Sequence, residues 1–261
     1  MKYSVSLQFM WSELPFPERA RRAAAHGLDR VDLWDWRDCD IDELARVCRE
    51  EGLEIGGFFG HRAGSLIDPS LHELVLRELA RSVEVAERVG ARQLHMFSDE
   101  IGPESRIRKP PPSPWEAKWQ ACVEGLRRCL ELVEGRPVQL VLEAINDVFV
   151  PGYFLRDASL ATALCRTVDH PQLRLSFDCY HQQLSGGRLV DHLREALPHC
   201  VRVDVADVPG RGQPGTGEIN FHTIRRVLEE EGYEGQVTFE VVPAGGDSER
   251  AMADIKEVFP F

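Results

Sequence analysis

Eight times along the chain, a short strand-like stretch, with apolar and polar residues alternating most clearly at 3–9 and 201–206, gives way to a longer one in which apolar residues recur every three or four positions. Alternation is the mark of a strand, and the wider spacing that of a helix packed on one face. The pattern predicts strands over 3–9, 30–34, 54–59, 92–97, 138–143, 173–178, 201–206 and 236–241. It predicts helices over 17–26, 41–51, 71–89, 115–133, 159–168, 189–197, 221–231 and 248–258. The punctuation agrees. Gly27, Gly52 and Gly90 stop the first three helices, and Pro17 is tolerated in the first turn of the first. Asn220 stands where an N-cap belongs, ahead of Phe221, Ile224, Val227 and Leu228.

Strict strand–helix alternation over 261 residues, with no linker or shift in composition, predicts one domain spanning 1–261 and folded as a (β/α)8 TIM barrel. A doubly wound open sheet usually has fewer strands at this length. Its glycine fingerprint, G-x-G-x-x-G after a strand, is absent, since Gly56-Gly57-Phe58-Phe59-Gly60 does not match it. Two connections are longer or more charged than a turn requires. Residues 98–113 carry Lys109, Pro110, Pro111 and Pro112, with Pro114 just beyond, and read equally as a lid or as a rigid excursion or oligomer contact. The glycine- and proline-rich stretch after strand seven carries Asp207, Arg211 and Glu218 and reads as a ligand-binding loop or an acidic surface loop.

In a barrel, chemistry sits at the C-terminal ends of the strands. The last four strands end in Glu143, Asp178, Asp204 and Glu240, in the phase opposite to Leu142, Phe177, Val203 and Phe239. Period two therefore turns the acids toward the barrel mouth and the apolar residues toward the helices. Any one acid is readily explained as a helix cap or an arginine partner. Four in phase repel one another unless neutralised, and a divalent metal does so economically. An all-oxygen shell favours Mg2+ or Mn2+ over a thiolate-seeking ion. His181, three residues after Asp178, and Arg211, on the glycine-rich loop, are expected to face substrate. His61 and Arg62 follow strand three and are weaker candidates for holding a carboxylate, while His95 and Trp34 are expected chiefly in core packing.

Charge and cysteine usage narrow the partners. A net charge of −12 disfavours nucleic acid and anionic membrane surfaces. Seven dispersed cysteines without a C-x-x-C pair suit free thiols in a reducing compartment. With no apolar N-terminal segment of signal-peptide type, the reading is a cytoplasmic protein acting on a small molecule, with self-association left open.

At these residues the chain resembles the hydroxypyruvate isomerase family, within the xylose isomerase-like TIM barrels. The resemblance is carried by L-E-A-I-N at 142–146, P-G-Y at 151–153, F-D-C-Y-H-Q-Q at 177–183, A-D-V-P-G-R-G-Q-P-G-T-G-E-I-N-F at 206–221 and F-E-V-V-P at 239–243. It implies a divalent metal held by Glu143, Asp178, residue 204 and Glu240. It further implies Glu143 and Glu240 as the acid/base pair, and His181 and Arg211 beside the substrate. Asp204 stands where the family commonly has Gln or His, and Arg202, two residues back on the same face, is placed to balance its charge. Val242 stands where relatives often carry a basic residue. The implied reaction is isomerisation of a small α-hydroxycarbonyl acid or sugar. A ketose 3-epimerase, a 2-oxo-tetronate isomerase, a dehydratase and an inactive binding barrel are the alternatives. A metal-dependent nuclease on the same barrel would want more histidine and a basic surface.

Overall fold

A computed structural model describes residues 1–108 and 112–261. The part of the long connection formed by Lys109, Pro110 and Pro111 lies outside them. The strands are β1 (Lys2–Ser6), β2 (Arg30–Asp32), β3 (Glu54–Ile55), β4 (Gly57–Phe59), β5 (Gln93–Met96), β6 (Gln139–Glu143), β7 (Leu173–Asp178), β8 (Cys200–Val205) and β9 (Gln236–Phe239). The helices are α1 (Phe16–Ala25), α2 (Ile41–Glu50), α3 (His72–Val89), α4 (Trp115–Val133), α5 (Ala158–Val168), α6 (Cys179–Gly186), α7 (Leu189–Ala196), α8 (Phe221–Glu230) and α9 (Ser248–Val258). All strand pairs are parallel, in the order β3-β2-β1-β9-β8-β7-β6-β5-β4.

The eighth strand becomes a ninth because the third predicted strand breaks at Gly56. Its first half pairs with β2 and its second with β5. Gly56 bonds both ways, donating to Val31 O at 2.9 Å and accepting from Gln93 N at 3.2 Å, so the chain itself closes the barrel. Only glycine fits this seam. A Cβ on Gly56 would lie 2.7 Å from Asp32 Oδ1, and one on Gly57 would lie 2.4 Å from Gln93 O.

The outward-facing strand residues behave as their period predicts. Val5, Val31, Phe177, Val203, Val237 and Phe239 are buried against helix residues such as Leu44, Val83, Leu126 and Ile224. The barrel interior departs from the usual branched aliphatic filling. Ser4, Asp32, Ser176, Arg202, Asp204, Gln236 and Thr238 are buried there in a hydrogen-bonded network.

Helix α6 is not legible from periodicity. Its first four residues, Cys179 to Gln182, are all buried, so no polar face alternates with an apolar one. It starts directly from the end of β7, with Asp178 as N-cap: Oδ1 accepts from His181 N at 3.0 Å. Asn220 caps α8 as its sequence position predicts, accepting from Thr223 N at 3.1 Å.

Candidate active site

Glu143 and Asp178 are the last residues of β6 and β7, Asp204 is the penultimate residue of β8, and Glu240 directly follows β9. All four are buried. A cavity of about 760 Å³ opens at this end of the barrel. Glu143, Glu240, His181, Arg202 and Arg211 line its floor, and Trp34, Phe59, Phe97, Ile145, Phe149 and Val242 stand along its walls.

Arg211 reaches the floor because its loop is tied down by one acid. The Asp207 carboxylate accepts from the backbone N–H groups of Val208 (2.9 Å), Gly215 (3.2 Å), Gly217 (2.8 Å) and Ile219 (2.9 Å). Asp207 thus organises the loop rather than facing a ligand. Gly217 is obligatory, because a Cβ there would meet Val208 O at 1.8 Å. Arg211 takes φ 55°, an uncommon left-handed setting for a side chain of its size. One terminal nitrogen of its guanidinium donates to Asp178 Oδ2 at 3.3 Å and also to Glu240 Oε2. The guanidinium carbon lies 5.0 Å from the Tyr180 ring centre.

Asp204 takes part differently. Its Oδ1 accepts from Arg202 Nε at 2.6 Å and its Oδ2 from the Ser176 hydroxyl. Arg202 also donates to Asp32 Oδ1 at 2.7 Å. The guanidinium that the sequence put on the same face thus ties Asp204 into the barrel's polar interior, beneath the other three acids. The plainer role open to each acid, a cap or an arginine partner, is also present in Asp178 and Glu240.

The atoms of Glu143, Asp178 and His181 that could ligate lie within 4.8 Å of one another. His181 is held in one tautomer. Asn146 Oδ1 accepts from Val148 N (3.1 Å) and Phe149 N (3.0 Å), which fixes the amide. Its Nδ2 therefore donates to His181 Nδ1, at 2.6 Å. Nδ1 accepts from Asn146, so the ring proton is on Nε2, 3.6 Å from Asp178 Oδ2 and 3.8 Å from Glu143 Oε1, and Arg211 Nη1, 3.4 Å from the same nitrogen, is a contact and not its donor. Burial, and then Arg211, push its pKa well below the ordinary range. A neutral His181 is thus an N–H donor into the cavity. Ligation through Nε2 would need the proton on Nδ1, where Asn146 already donates.

The remaining candidates separate. His61 lines the cavity, but both ring nitrogens are used by backbone: Nε2 accepts from Phe97 N at 3.1 Å, and Nδ1 lies 3.3 Å from Ala63 O. Arg62 sits on the rim with its side chain 61% exposed, 3.2 Å from Asp35 and 3.7 Å from Asp38. His95 and Trp34, expected chiefly in packing, make direct contacts with the acids. His95 Nδ1 is 3.4 Å from Glu143 Oε2, and Trp34 Nε1 donates to Glu240 Oε1 at 2.6 Å. Their only sequence signal is a place at or near a strand end. Asn146 was missed as a positioning residue, although it lies inside the L-E-A-I-N motif.

The environments of the two glutamates push them apart. Burial, then the charges of Glu240 and Asp178, raise Glu143 to about 8. Burial also acts to raise Glu240, but Arg211, Arg202 and the Trp34 hydrogen bond outweigh it and leave it below the ordinary range. Burial raises Asp178 to about 6 against the pull of Arg211. Five carboxyl groups (Asp32, Glu143, Asp178, Asp204 and Glu240) thus share this end of the barrel interior with two guanidiniums, Arg202 and Arg211. That negative excess, and the all-oxygen donors of Glu143, Asp178 and Glu240, fit a hard divalent cation.

Residues 20–258 match the model of the xylose isomerase-like TIM barrel family. A human relative that bears the hydroxypyruvate isomerase name provisionally is 31% identical, covering 94% of this chain and 91% of its own. The hydroxypyruvate isomerase of Escherichia coli K12 is 27% identical over 93% of this chain and 94% of its own. The 2-oxo-tetronate isomerase of Cupriavidus necator is 26% identical over 95% of each. Among solved structures, an AP endonuclease of family 2 from Brucella melitensis superposes with a TM-score of 0.85 at 26% identity, covering 97% of this chain and 96% of its own. A D-psicose 3-epimerase from Clostridium cellulolyticum H10 shares the fold, with a TM-score of 0.80 at 17% identity and coverage of 99% and 97%.

Proposed function

Because this chain belongs to the xylose isomerase-like TIM barrel family, and its relatives include hydroxypyruvate and 2-oxo-tetronate isomerases, we propose that it is a metal-dependent isomerase of a small α-hydroxycarbonyl acid. The observation that carries this reading is geometric: two buried glutamates, Glu143 and Glu240, line one cavity floor with Arg211 and His181 beside them. Two carboxyl groups facing one ligand, one to take a proton and one to return it, are what proton transfer between adjacent carbons requires.

Glu240, ionised, takes the proton from the carbon that bears the hydroxyl. The C–H electron pair becomes the carbon–carbon double bond of an enediolate, and the carbonyl electrons move to oxygen. Glu143, protonated, delivers its proton to the former carbonyl carbon, and the hydroxyl proton passes to the former carbonyl oxygen. Glu240 then releases its proton to solvent and Glu143 takes one up, so that, net, one hydrogen has left one carbon and one has joined its neighbour, and one has moved between oxygens. Arg211 and the His181 Nε2–H donate to the oxygens on which charge develops. Glu143, Asp178 and Glu240 would hold the divalent cation, Mg2+ or Mn2+, each glutamate keeping one carboxyl oxygen for proton transfer, with Asp204 beneath them. When bound, the cation supplies Lewis-acid polarisation of the substrate oxygens.

The test is exchange of carbon-bound hydrogen in deuterated water, followed by NMR with hydroxypyruvate and a four-carbon 2-oxo-3-hydroxy acid. Glu143→Gln and Glu240→Gln should each slow exchange about 10²–10⁴-fold, with the circular dichroism unchanged. Full activity in both variants would sink the proposal.

A further inference from the structure

The cavity is much larger than the reaction needs. A three-carbon hydroxy-oxo acid has seven heavy atoms and occupies roughly 200 Å³ even at the volume that liquid water takes per molecule. The cavity encloses about 760 Å³. What lies beyond the polar floor is apolar. Trp34 stacks on Phe59 with ring centres 6.0 Å apart, and Phe97 meets Phe59 edge-on at 4.8 Å. Across from them stand Ile145, Phe149 and Val242. Phe149 is 51% exposed and Val242 42%, so two large apolar side chains are held in water at the mouth of a polar site.

Most of the charged side chains that share these walls are already committed. Both His61 nitrogens serve backbone groups, and Arg62 is held by Asp35 and Asp38. Asp99 Oδ2 accepts from Ser98 Oγ at 2.6 Å and from Phe154 N at 2.8 Å, while its Oδ1 is buried without a partner. Glu104 pairs with Arg106 at 2.9 Å. A polyhydroxylated substrate would need a partner for each hydroxyl it buried, and these walls offer few. An apolar group meets no such demand and gains by leaving water.

We infer that the substrate carries an apolar substituent, aryl or branched alkyl, which the Trp34–Phe59–Phe97 wall and the Phe149–Val242 mouth receive while its α-hydroxycarbonyl end lies on the Glu143–Glu240 floor. This selectivity rests on the isomerase reading for the reacting end and on the wall chemistry for the other. Val242 and Phe149 are its specificity-determining residues.

The test separates binding from turnover by using ligands that cannot isomerise, because they lack the carbonyl. Calorimetry compares 2-hydroxy-4-phenylbutanoate with 2,4-dihydroxybutanoate on the purified protein. The phenyl ligand is expected to bind at least about tenfold more tightly, the ratio that follows from burying one side-chain-sized apolar group. Phe149→Ser and Val242→Ser, both at exposed positions, should each shrink that ratio. Equal affinities, a preference for the dihydroxy ligand, or a ratio that both variants leave intact would overturn the inference. Deuterium exchange with 3-hydroxy-2-oxo-4-phenylbutanoate and with 3,4-dihydroxy-2-oxobutanoate tests the reading beneath it. A phenyl preference without exchange sinks the isomerase reading alone, and exchange without a phenyl preference sinks the selectivity alone.

Discussion

Asn146 decides where His181 keeps its proton. The Asn146 amide is pinned by the backbone N–H groups of Val148 and Phe149, and its Nδ2 donates to His181 Nδ1 at 2.6 Å. The imidazole is left with a single N–H, aimed at Asp178 and Glu143. One uncharged amide thus sets the polarity of a ring more than thirty residues away.

Replacing that amide by an acid should reverse the polarity. In Asn146→Asp a carboxylate would face Nδ1, draw the proton to it and stabilise the imidazolium. Nitrogen chemical shifts of His181 should report the changed tautomer, and turnover should fall about 10–100-fold, as when other positioning hydrogen bonds are removed. A changed tautomer with an unchanged rate would exclude His181 as a donor in the reaction.

Chelator-treated protein should lose stability as the pH rises from about 4.5 to 8. Glu143 is raised from its ordinary value to about 8, and Asp178 to about 6. The folded state therefore holds protons that the unfolded chain releases near pH 4. Stability from these groups is present below their unfolded pKa values and drains as pH climbs through the folded ones. Glu240 is lowered, and its contribution is lost instead as pH falls through the acid range. Thermal unfolding at pH 5 and pH 8 measures the difference, and Glu143→Gln should flatten it. An unflattened slope would place the effect elsewhere.

Arg202→Met should destabilise the fold by about 3–5 kcal/mol. Its guanidinium is buried between Asp32 and Asp204, and removing it strands two acids in the barrel interior. Denaturant unfolding gives the number, and a loss under 1 kcal/mol would show that the acids find other partners or protons.

Metal binding should be strong and should depend on Asp178. Titration of the chelator-treated protein with Mn2+ is expected to reveal one site, weakened at least about tenfold in Asp178→Asn, the lower end of what altered ligand shells cost. Equal affinity in the variant would remove Asp178 from the ligand set. No binding to either protein would remove the metal from the reaction altogether.

Much of the architecture was legible because it is written in local periodicity. The alternation of Leu173, Arg174, Leu175, Ser176, Phe177 and Asp178, and the glycines that stop helices, depend on neighbours a few residues away, so α4, β7 and α9 emerge with the predicted ends. Helix α6 escaped the same logic because the barrel mouth covers it on several sides. The break at Gly56 escaped because its cause, contact with Asp32 and Gln93, lies on other strands.

The sequence alone determined that Glu143, Asp178, Asp204 and Glu240 stand at consecutive strand ends on one face, since a period of two and a strand boundary are enough to aim a side chain. Only the tertiary structure decided how they share the work. It added Ser176 to the Arg202 that the sequence already places beside Asp204, set Arg211 between Asp178 and Glu240, and brought Trp34 and His95 onto the two glutamates. The physical reason is that the direction in which a side chain points is a property of its own few residues. The charges and donors it meets come from strands 30 to 200 residues away, and they decide whether an acid is paired, protonated or left free to react.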